Sequence, residues 1–244
     1  MRGLIVACVL LLAGLQSGVS WAEVLRVGMG THKPPYIYEG QLRGLEHDLI
    51  KAAFELAGFQ MELYYGPMER LHVLLARGEL DAIATTSPVS GIPAFYSVPY
   101  VEYQNVAITL ARREIELGSI GELGNYSVSA FQRARFLLGE EFQAMTVSNP
   151  RYREEARQVI RNLLLYAGRV DVVIADLRIF QAFNHEIGDQ VDTRQPIRVH
   201  RLFPPSPYSV GFTDPDKRDR FNLGLQRLRE SGRYQRIEAR YADF

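Results

Sequence analysis

The chain has 244 residues, which is enough for one large domain or two small ones. Its 28 basic and 28 acidic residues balance, so no basic field indicates that the protein binds nucleic acid. Cys8 is the only cysteine, which excludes a disulfide framework and a zinc cluster.

The first 22 residues have the pattern of a secretory signal peptide. Arg2 gives a positive start, residues 4–15 are nearly all apolar, and residues 20–22 (Ser-Trp-Ala) fit a small-x-small cleavage site. The apolar run is too short to span a membrane comfortably, and a retained N-terminal anchor is the alternative. We therefore expect an exported protein that starts near Glu23 and, most simply, resides in the periplasm.

Strands and helices alternate along the first part of the mature chain. Apolar patterns and glycine stops predict strands over 24–28, 59–64 and 80–84, with helices between them over 44–57 and around Met68, Leu71, Leu74 and Leu75. This order of strand, helix, strand, helix, strand is typical of right-handed parallel units in an α/β fold.

Three hydroxyl side chains, Thr85, Thr86 and Ser87, follow the third of these strands. Ligands of open α/β sheets bind just beyond the carboxyl ends of the strands, where hydroxyls and free backbone N–H groups are available. The stretch therefore indicates a binding site for a small polar molecule. The alternative is that the hydroxyls only cap a loop.

Tyr36 follows two prolines in the loop after the first strand. The prolines hold it in a fixed extended pose, so Tyr36 is either a wall for a ligand or an ordinary packed tyrosine. The preceding Gly28 and Gly30 lack the third glycine of a dinucleotide site, and the prolines prevent an immediate helix.

A second series of elements surrounds the charged stretch 112–116, which marks a composition shift. We predict strands over 105–110, 126–129, 170–175 and 208–212, and helices over 131–138, 151–167, 216–230 and around Tyr234, Ile237 and Tyr241. Asp176 stands at the carboxyl end of the strand 170–175. The proline-rich stretch 204–207 is the strongest linker signal in the chain.

These pieces together resemble the extracellular solute-binding proteins of family 3, the type II periplasmic binding proteins. The resemblance covers essentially the whole mature chain and rests on the order of its motifs: LRVG at 25–28, PPY at 34–36, GLEHDL at 44–49, GELDAI at 78–83, YSVPY at 96–100, GRVD at 168–171 and SGRYQRI at 231–237. It implies an α/β fold of two lobes joined by two strands, with a ligand held in the cleft between them. By analogy, the first lobe holds residues 23–110 and 206–244, and the second holds residues 111–205.

The resemblance brings the strand ends into one site. It places in the cleft Tyr36, Arg70, Thr85, Thr86 and Ser87 from the first lobe, and Phe131, Gln132 and Asp176 from the second. Phe131 and Gln132 are expected at the start of a helix whose N–H groups favour an anion. In amino-acid-binding members an aspartate matching Asp176 receives the ligand's ammonium group, and the alternative is that Asp176 only caps the following helix.

One departure from the family concerns the ligand carboxylate. Amino-acid-binding members carry an arginine soon after the hydroxyl loop, and its bidentate fork holds this carboxylate. Here the loop 88–95 is shorter and contains no basic residue. Arg70 or Arg133 is a candidate replacement, and either is equally consistent with a surface charge. We therefore expect a small polar ligand with an amine or an aromatic ring, and no tight binding of ordinary free amino acids.

The pattern favours a binding protein over an enzyme. The five histidines lack metal-ligand spacing, and no nucleophile motif is present in the sequence. A few proteins of this fold are dehydratases, which leaves Glu46 or Asp176 as an alternative acid/base. We expect no cofactor or metal, a monomer in solution, and a membrane partner that is either an ABC transporter permease or a sensor.

Overall fold

The computed structural model describes residues 22–242, so the predicted signal peptide lies outside it except for Ala22. Two separate β-sheets with packed helices make up these residues, which confirms the predicted two-lobed α/β fold. We call the first sheet with its helices lobe 1 and the second sheet with its helices lobe 2. Within residues 22–242, every helix is too short or too polar to span a lipid bilayer.

Lobe 1 is built on a mixed sheet. Its strands are β1 (Glu23–Met29), β2 (Phe59–Tyr65), β3 (Ala82–Thr86), β4 (Phe95–Tyr96), β5 (Val101–Tyr103) and β11 (Ser206–Phe212). β1 lies between β2 and β3 and is parallel to both, as the alternating strands and helices predict. β11 is antiparallel to β3, β4 and β5, so the chain returns to this sheet near its end.

Lobe 2 is built on a sheet in the order β10-β6-β9-β7-β8. Its strands are β6 (Asn105–Leu110), β7 (Val128–Phe131), β8 (Tyr152–Glu155), β9 (Val172–Asp176) and β10 (Ile197–His200). β7 is parallel to β8 and β9, whereas β6 is antiparallel to β9 and β10. The sequence had assigned residues 105–110 to the first lobe. The charged stretch that suggested that boundary is an exposed turn after β6, and the chain passes between the sheets before Asn105.

The helices differ from prediction mainly in lobe 2. They are α1 (Leu45–Leu56), α2 (Met68–Ala76), α3 (Ala134–Leu137), α4 (Glu140–Ser148), α5 (Val159–Tyr166), α6 (Leu177–Glu186), α7 (Pro215–Glu230) and α8 (Arg233–Ala239). The predicted helix 131–138 is wrong in its first turn, because Phe131 ends β7 and only α3 is helical. The predicted helix 151–167 is wrong in its first part, where β8 pairs with β7 and tertiary pairing overrides the local pattern.

The core of lobe 1 lies between its sheet and the helices α1 and α7. Phe54, Phe212 and Phe221 pack there with ring centroids 5.0 to 6.0 Å apart, and all three are fully buried. Gly224 of α7 lies directly against the backbone of α1, where an added Cβ would stand 2.2 Å from the carbonyl oxygen of Ala53. The absence of a side chain at Gly224 therefore sets the distance between the two helices.

We expect the substitution Gly224→Ala to destabilise the protein by about 1–3 kcal/mol, because α7 must move away from α1. This loss exceeds the gain of about 1 kcal/mol that alanine brings to a helix interior. Urea unfolding measures the change. Gly121→Ala is the control, because a Cβ at Gly121 meets no atom within 4 Å. Equal stability of the two variants would contradict the close contact.

His72 is a buried imidazole between α2 and the end of β3. Its Nε2 lies 3.3 Å from the hydroxyl of Thr86, and its Nδ1 has no hydrogen-bond partner among the described residues. Burial, together with the nearby positive charge of Arg133, lowers the pKa of His72 from 6.5 to about 4. The folded protein therefore keeps this imidazole neutral in a pH range where the unfolded chain protonates it.

This difference predicts a loss of stability in mild acid. The folded-state pKa of His72 lies below its unfolded value, so its contribution is complete above about pH 6.5 and is lost as the pH falls towards 4. The loss is on the order of 2–3 kcal/mol. Unfolding free energies of a His72→Gln variant should depend less on pH in this window. A His185→Gln variant at an exposed site is the control, and parallel pH profiles for all three proteins would contradict the assignment.

Candidate functional site

A cavity of about 50 Å³ lies between the lobes, where strand ends of the two sheets meet. Lobe 1 contributes Lys33, Thr85 and Tyr103 to its wall, and lobe 2 contributes Asn105, Phe131, Gln132, Glu155, Gln158 and Asp176. Buried side chains of both charges thus face one small space. Small-molecule sites commonly lie between domains, with volumes of about 300–1,000 Å³, and the space in this closed arrangement is smaller.

Asp176 ends β9 and at the same time caps α6. Its Oδ1 accepts hydrogen bonds from the backbone N–H groups of Arg178 and Ile179, at 3.0 and 3.1 Å. Its Oδ2 accepts from the backbone N–H of Gln104 at 2.9 Å, and the hydroxyl of Tyr36 lies 3.4 Å away. The side chain is 3% exposed, so the carboxylate is held in one orientation on the cavity wall.

Burial dominates the acidity of Asp176. It raises the pKa of the carboxyl above its usual value, although the backbone N–H groups and the charge of Arg178 act in the opposite direction. The negative charge is therefore only partly compensated within the protein. A cation brought into the cavity would supply the remaining compensation.

Glu46 of α1 is the centre of a fully buried polar cluster beside the cavity. The ammonium of Lys33 lies 2.7 Å from its Oε1, and the hydroxyl of Thr85 donates to its Oε2 at 2.6 Å. The phenol of Tyr100 donates a hydrogen bond to Oε2, and the phenol of Tyr103 donates one to Oε1. We call these five residues the Glu46 cluster. Its carboxylate does not line the cavity, whereas Lys33, Thr85 and Tyr103 do.

The partners of Glu46 keep it ionised. Burial alone would raise its pKa, but the Lys33 ammonium and the hydrogen bonds from Thr85 and Tyr100 outweigh burial and lower the pKa below its usual value. Burial and the negative charge of Glu46 raise the pKa of Tyr100 and Tyr103 well above 10, so both phenols stay protonated and donate. The four partners thus satisfy the carboxylate of Glu46, and its negative charge is retained inside lobe 1.

Arg161 of α5 is a second fully buried charge, behind the lobe 2 wall of the cavity. Its guanidinium donates to the carbonyl oxygen of Ile174 and to the side-chain oxygen of Gln158, both at 2.5 Å. Burial lowers its pKa to about 9, while the charges of Asp176 and Glu155 act against that change. Arg161 therefore fixes the position of Gln158, which lines the cavity.

Four of the predicted site residues line the same cavity: Thr85, Phe131, Gln132 and Asp176. The helix that was expected to present Phe131 and Gln132 is wrong, because both residues precede the short α3. The N–H groups of that helix therefore do not provide an anion site at these two residues. The backbone N–H of Thr85 is also engaged, since it donates to the phenol oxygen of Tyr100 at 3.1 Å.

Tyr36, Thr86 and Ser87 lie next to the cavity but do not line it. Tyr36 is 2% exposed and packs on Tyr103 with ring centroids 4.2 Å apart, so it is a core tyrosine rather than a ligand wall. The hydroxyl of Thr86 faces His72, whose Nε2 lies 3.3 Å away. Ser87 lines a separate apolar cavity beside the proline-rich stretch.

Neither candidate arginine offers a free guanidinium to the cavity. Arg70 is exposed on α2 and stacks over the ring of Tyr64, 5.5 Å from its centroid, because its helical neighbour Leu71 occupies the inward face. Arg133 crosses the cleft instead: its Nη1 lies 3.0 Å from both carboxylate oxygens of Glu69, and its Nη2 donates to the carbonyl oxygen of Ser90. The guanidinium of Arg133 therefore forms contacts that join lobe 2 to lobe 1.

Further contacts join the lobes on both sides of the cavity. The backbone N–H of Glu69 donates to the Gln132 side chain at 3.2 Å, next to the Arg133 ion pair. On the other side the imidazole of His32 lies 2.9 Å from the carboxylate of Glu186. These contacts describe a closed arrangement in which both lobes contact each other directly.

Sequence reasoning did not identify Lys33, Glu155 and Gln158 as site residues. The sequence does contain a signal for Lys33. Pro34 restricts the preceding Lys33 to extended backbone, which fixes the direction of the lysine side chain. Glu155 and Gln158 were hidden by the incorrect helix over 151–167, which removed the strand end at which Glu155 lies.

Comparison with solved structures shows the same fold. An ancestral arginine-binding protein bound to arginine matches with a TM-score of 0.75 and 17% identity, over 91% of this chain and 99% of that chain. A histidine kinase sensor domain with similarity to periplasmic binding proteins matches with a TM-score of 0.77 and 18% identity, over 91% and 96% of the two chains.

A third similar structure is the arginine-, lysine-, histidine-binding protein ArtJ from Geobacillus stearothermophilus. Its TM-score is 0.73 at 18% identity, over 90% of this chain and 95% of that chain. A search of curated protein sequences finds no match. The family model of the bacterial extracellular solute-binding proteins, family 3, matches residues 25–244, and the chain therefore belongs to that family.

Proposed function

We propose that this protein captures a small amine-bearing molecule between its two lobes in the periplasm. The observation that carries the proposal is the buried carboxylate of Asp176, which backbone N–H groups orient on the wall of the inter-lobe cavity. These backbone donors offset only part of the cost of burying the charge, since the pKa of Asp176 remains raised, and a ligand ammonium would add a charge-assisted hydrogen bond.

The apolar part of the cavity suits the same ligand class. The ring of Phe131 lies on the wall with Asp176, next to the aliphatic side chains of Leu137 and Ile179. An apolar or aromatic body of the ligand would pack on these groups, while its ammonium contacts the carboxylate. Of the two arginines that the sequence offered for a ligand carboxylate, Arg70 is exposed beside Tyr64 and Arg133 is held by Glu69, so neither supports a guanidinium fork in the cavity.

An enzyme on this fold is the weaker alternative. Glu46 accepts from Lys33, Thr85, Tyr100 and Tyr103, and its carboxylate does not reach the cavity wall. Asp176 is equally engaged, with three backbone donors. Both carboxylates are therefore fixed by hydrogen bonds within the protein, and they have little freedom to exchange protons with a substrate.

We further propose that the closed protein delivers its ligand to an ABC transporter permease or reports it to a membrane sensor. Similar structures include the substrate-binding protein of an amino acid ABC transporter and a histidine kinase sensor domain. Affinity purification of the ligand-loaded protein from detergent-solubilised membranes would separate these roles, because either a permease or a kinase would be recovered.

A thermal-shift screen of amines, amino acids and aromatic metabolites tests the ligand class. A ligand at about 100 times its dissociation constant adds about 2.7 kcal/mol to the stability of the folded protein. Asp176→Asn should weaken binding of the best amine at least about 30-fold by calorimetry, because it removes the charge and keeps an amide oxygen for the helix cap.

The matched control is Asp214→Asn, which changes the N-cap residue of α7 outside the cavity. It should leave the affinity unchanged. If Asp176→Asn binds the amine as tightly as the wild type does, Asp176 does not receive the ligand, and the proposed ligand class is wrong.

Ligand-driven closure is tested by solution X-ray scattering. A protein whose lobes rotate about the two connecting segments samples open and closed states, and the ligand shifts the population towards the closed state. Saturation with the best amine of the screen should therefore lower the radius of gyration. Asp176→Asn at the same amine concentration is the control, and an unchanged wild-type profile at saturation would contradict closure.

A further inference from the structure

A groove of about 680 Å³ lies next to the inter-lobe cavity, between the loop after β1 in lobe 1 and the helices α5 and α6 of lobe 2. We call it the outer groove. Because its walls come from both lobes, it is a defined space in the closed arrangement. The residues that define it in the following argument are Thr31, His32 and Glu39 of lobe 1, and Ile160, Leu163 and Phe183 of lobe 2.

The cavity that Asp176 faces is too small for most amines. Its volume is about 50 Å³, which holds roughly four water-sized groups. An ammonium with about two or three carbon atoms fills such a space. The remainder of a longer ligand therefore needs a second space if the lobes are to close around it.

The cavity and the outer groove meet at Thr31 and Gln158, which line both. The contact between the lobes is weak at this point, because the Thr31 hydroxyl lies 3.5 Å from the carbonyl oxygen of Ala156. The Gln158 side chain is held on the lobe 2 side by the guanidinium of Arg161. These side chains mark the place where a ligand would pass from the cavity into the outer groove.

A second neighbour of the cavity is the apolar cavity beside the proline-rich stretch, which shares Leu137 and Tyr208 with it. This boundary is closed more firmly. Tyr208 is 3% exposed, and its ring packs edge-on against Tyr103 with centroids 4.8 Å apart. Displacing that ring would disrupt the core of lobe 1, whereas separating Thr31 from Ala156 breaks only one weak contact.

The outer groove has an apolar interior and a charged edge. Its buried and half-buried side chains are mostly apolar, among them Ile160, Leu163 and Phe183, whereas the charged side chains of Glu39 and Arg157 are exposed. An apolar chain that lies along this groove leaves water without taking an ion out of water, which favours its binding.

We propose that the outer groove binds the apolar body of the ligand, so that the captured molecule is an amine on an extended apolar chain. Its ammonium contacts Asp176, and its chain passes between Thr31 and Gln158 to lie against α5 and α6. This inference rests on the proposed function and adds the length and the apolar character of the ligand to it.

A series of straight-chain amines from ethylamine to octylamine measures how far the site extends. Calorimetry on the wild-type protein should show an affinity that rises roughly two- to fourfold with each added methylene, because each CH₂ group leaves water for the outer groove. A site that ended at Thr31 and Gln158 would stop gaining affinity after about three carbon atoms.

Two variants locate this gain. Ile160→Asn places an amide in the outer groove and should weaken the binding of octylamine roughly tenfold, while propylamine binds as it does to the wild type. Ile160 belongs to none of the apolar cores of residues 22–242, so this change should preserve the fold. Ile160→Thr, which keeps the branched shape, replaces it if the asparagine variant does not fold.

The matched control is Val89→Asn. Val89 is also β-branched, is 63% exposed and lines the apolar cavity beside the proline-rich stretch. Both amines should bind this variant as tightly as they bind the wild type, because the proposed chain runs in the other direction.

The outcomes separate this inference from the proposed function. An affinity that stops rising at propylamine overturns the role of the outer groove and leaves the amine site on Asp176 intact. A gain with chain length that Ile160→Asn retains, or that Val89→Asn removes, also overturns it. If no amine of the series binds the wild-type protein, both the inference and the proposed ligand class are wrong.

Discussion

The inter-lobe site depends on the burial of one negative charge, that of Glu46. A carboxylate removed from water must be compensated within the protein or it takes up a proton. Here Lys33, Thr85, Tyr100 and Tyr103 supply the compensation, and they come from three different segments of lobe 1. The need to satisfy Glu46 therefore fixes the loop after β1, the end of β3 and the segment leading out of lobe 1 relative to one another.

This arrangement separates structural charges from those that face the cavity. Glu46 is enclosed, whereas Lys33 and Asp176 combine internal contacts with a place on the wall. The sequence left two roles open for Asp176, contact with a ligand and capping of the following helix. These roles need not exclude each other, because Oδ1 caps α6 while Oδ2 accepts a hydrogen bond from Gln104 of the segment that crosses between the lobes. Arg133 is different: its pairing with Glu69 contributes to the contact between the lobes.

Much of the fold follows from local sequence signals. In lobe 1, strands and helices alternate with clear apolar periods and glycine stops, and the structure has the predicted elements there within a few residues. In lobe 2 the signals are weaker. β8 is polar, and only its pairing with β7 makes it a strand. Likewise, nothing local distinguishes β6 from a lobe 1 strand, because its place is decided by pairing with β9 and β10.

The sequence by itself determined the alternation of strands and helices and the position of Asp176 at the end of a buried strand, because both depend on short-range periodicity. The two-lobed arrangement was implied only by the resemblance to the family. Only the tertiary structure decided which polar groups share the cavity. Arg70 and Lys33 are both cations beside lobe 1 elements, yet one stacks on Tyr64 at the surface and the other is buried against Glu46. That difference depends on helix orientation and on contacts between segments far apart in the chain, which local patterns do not encode.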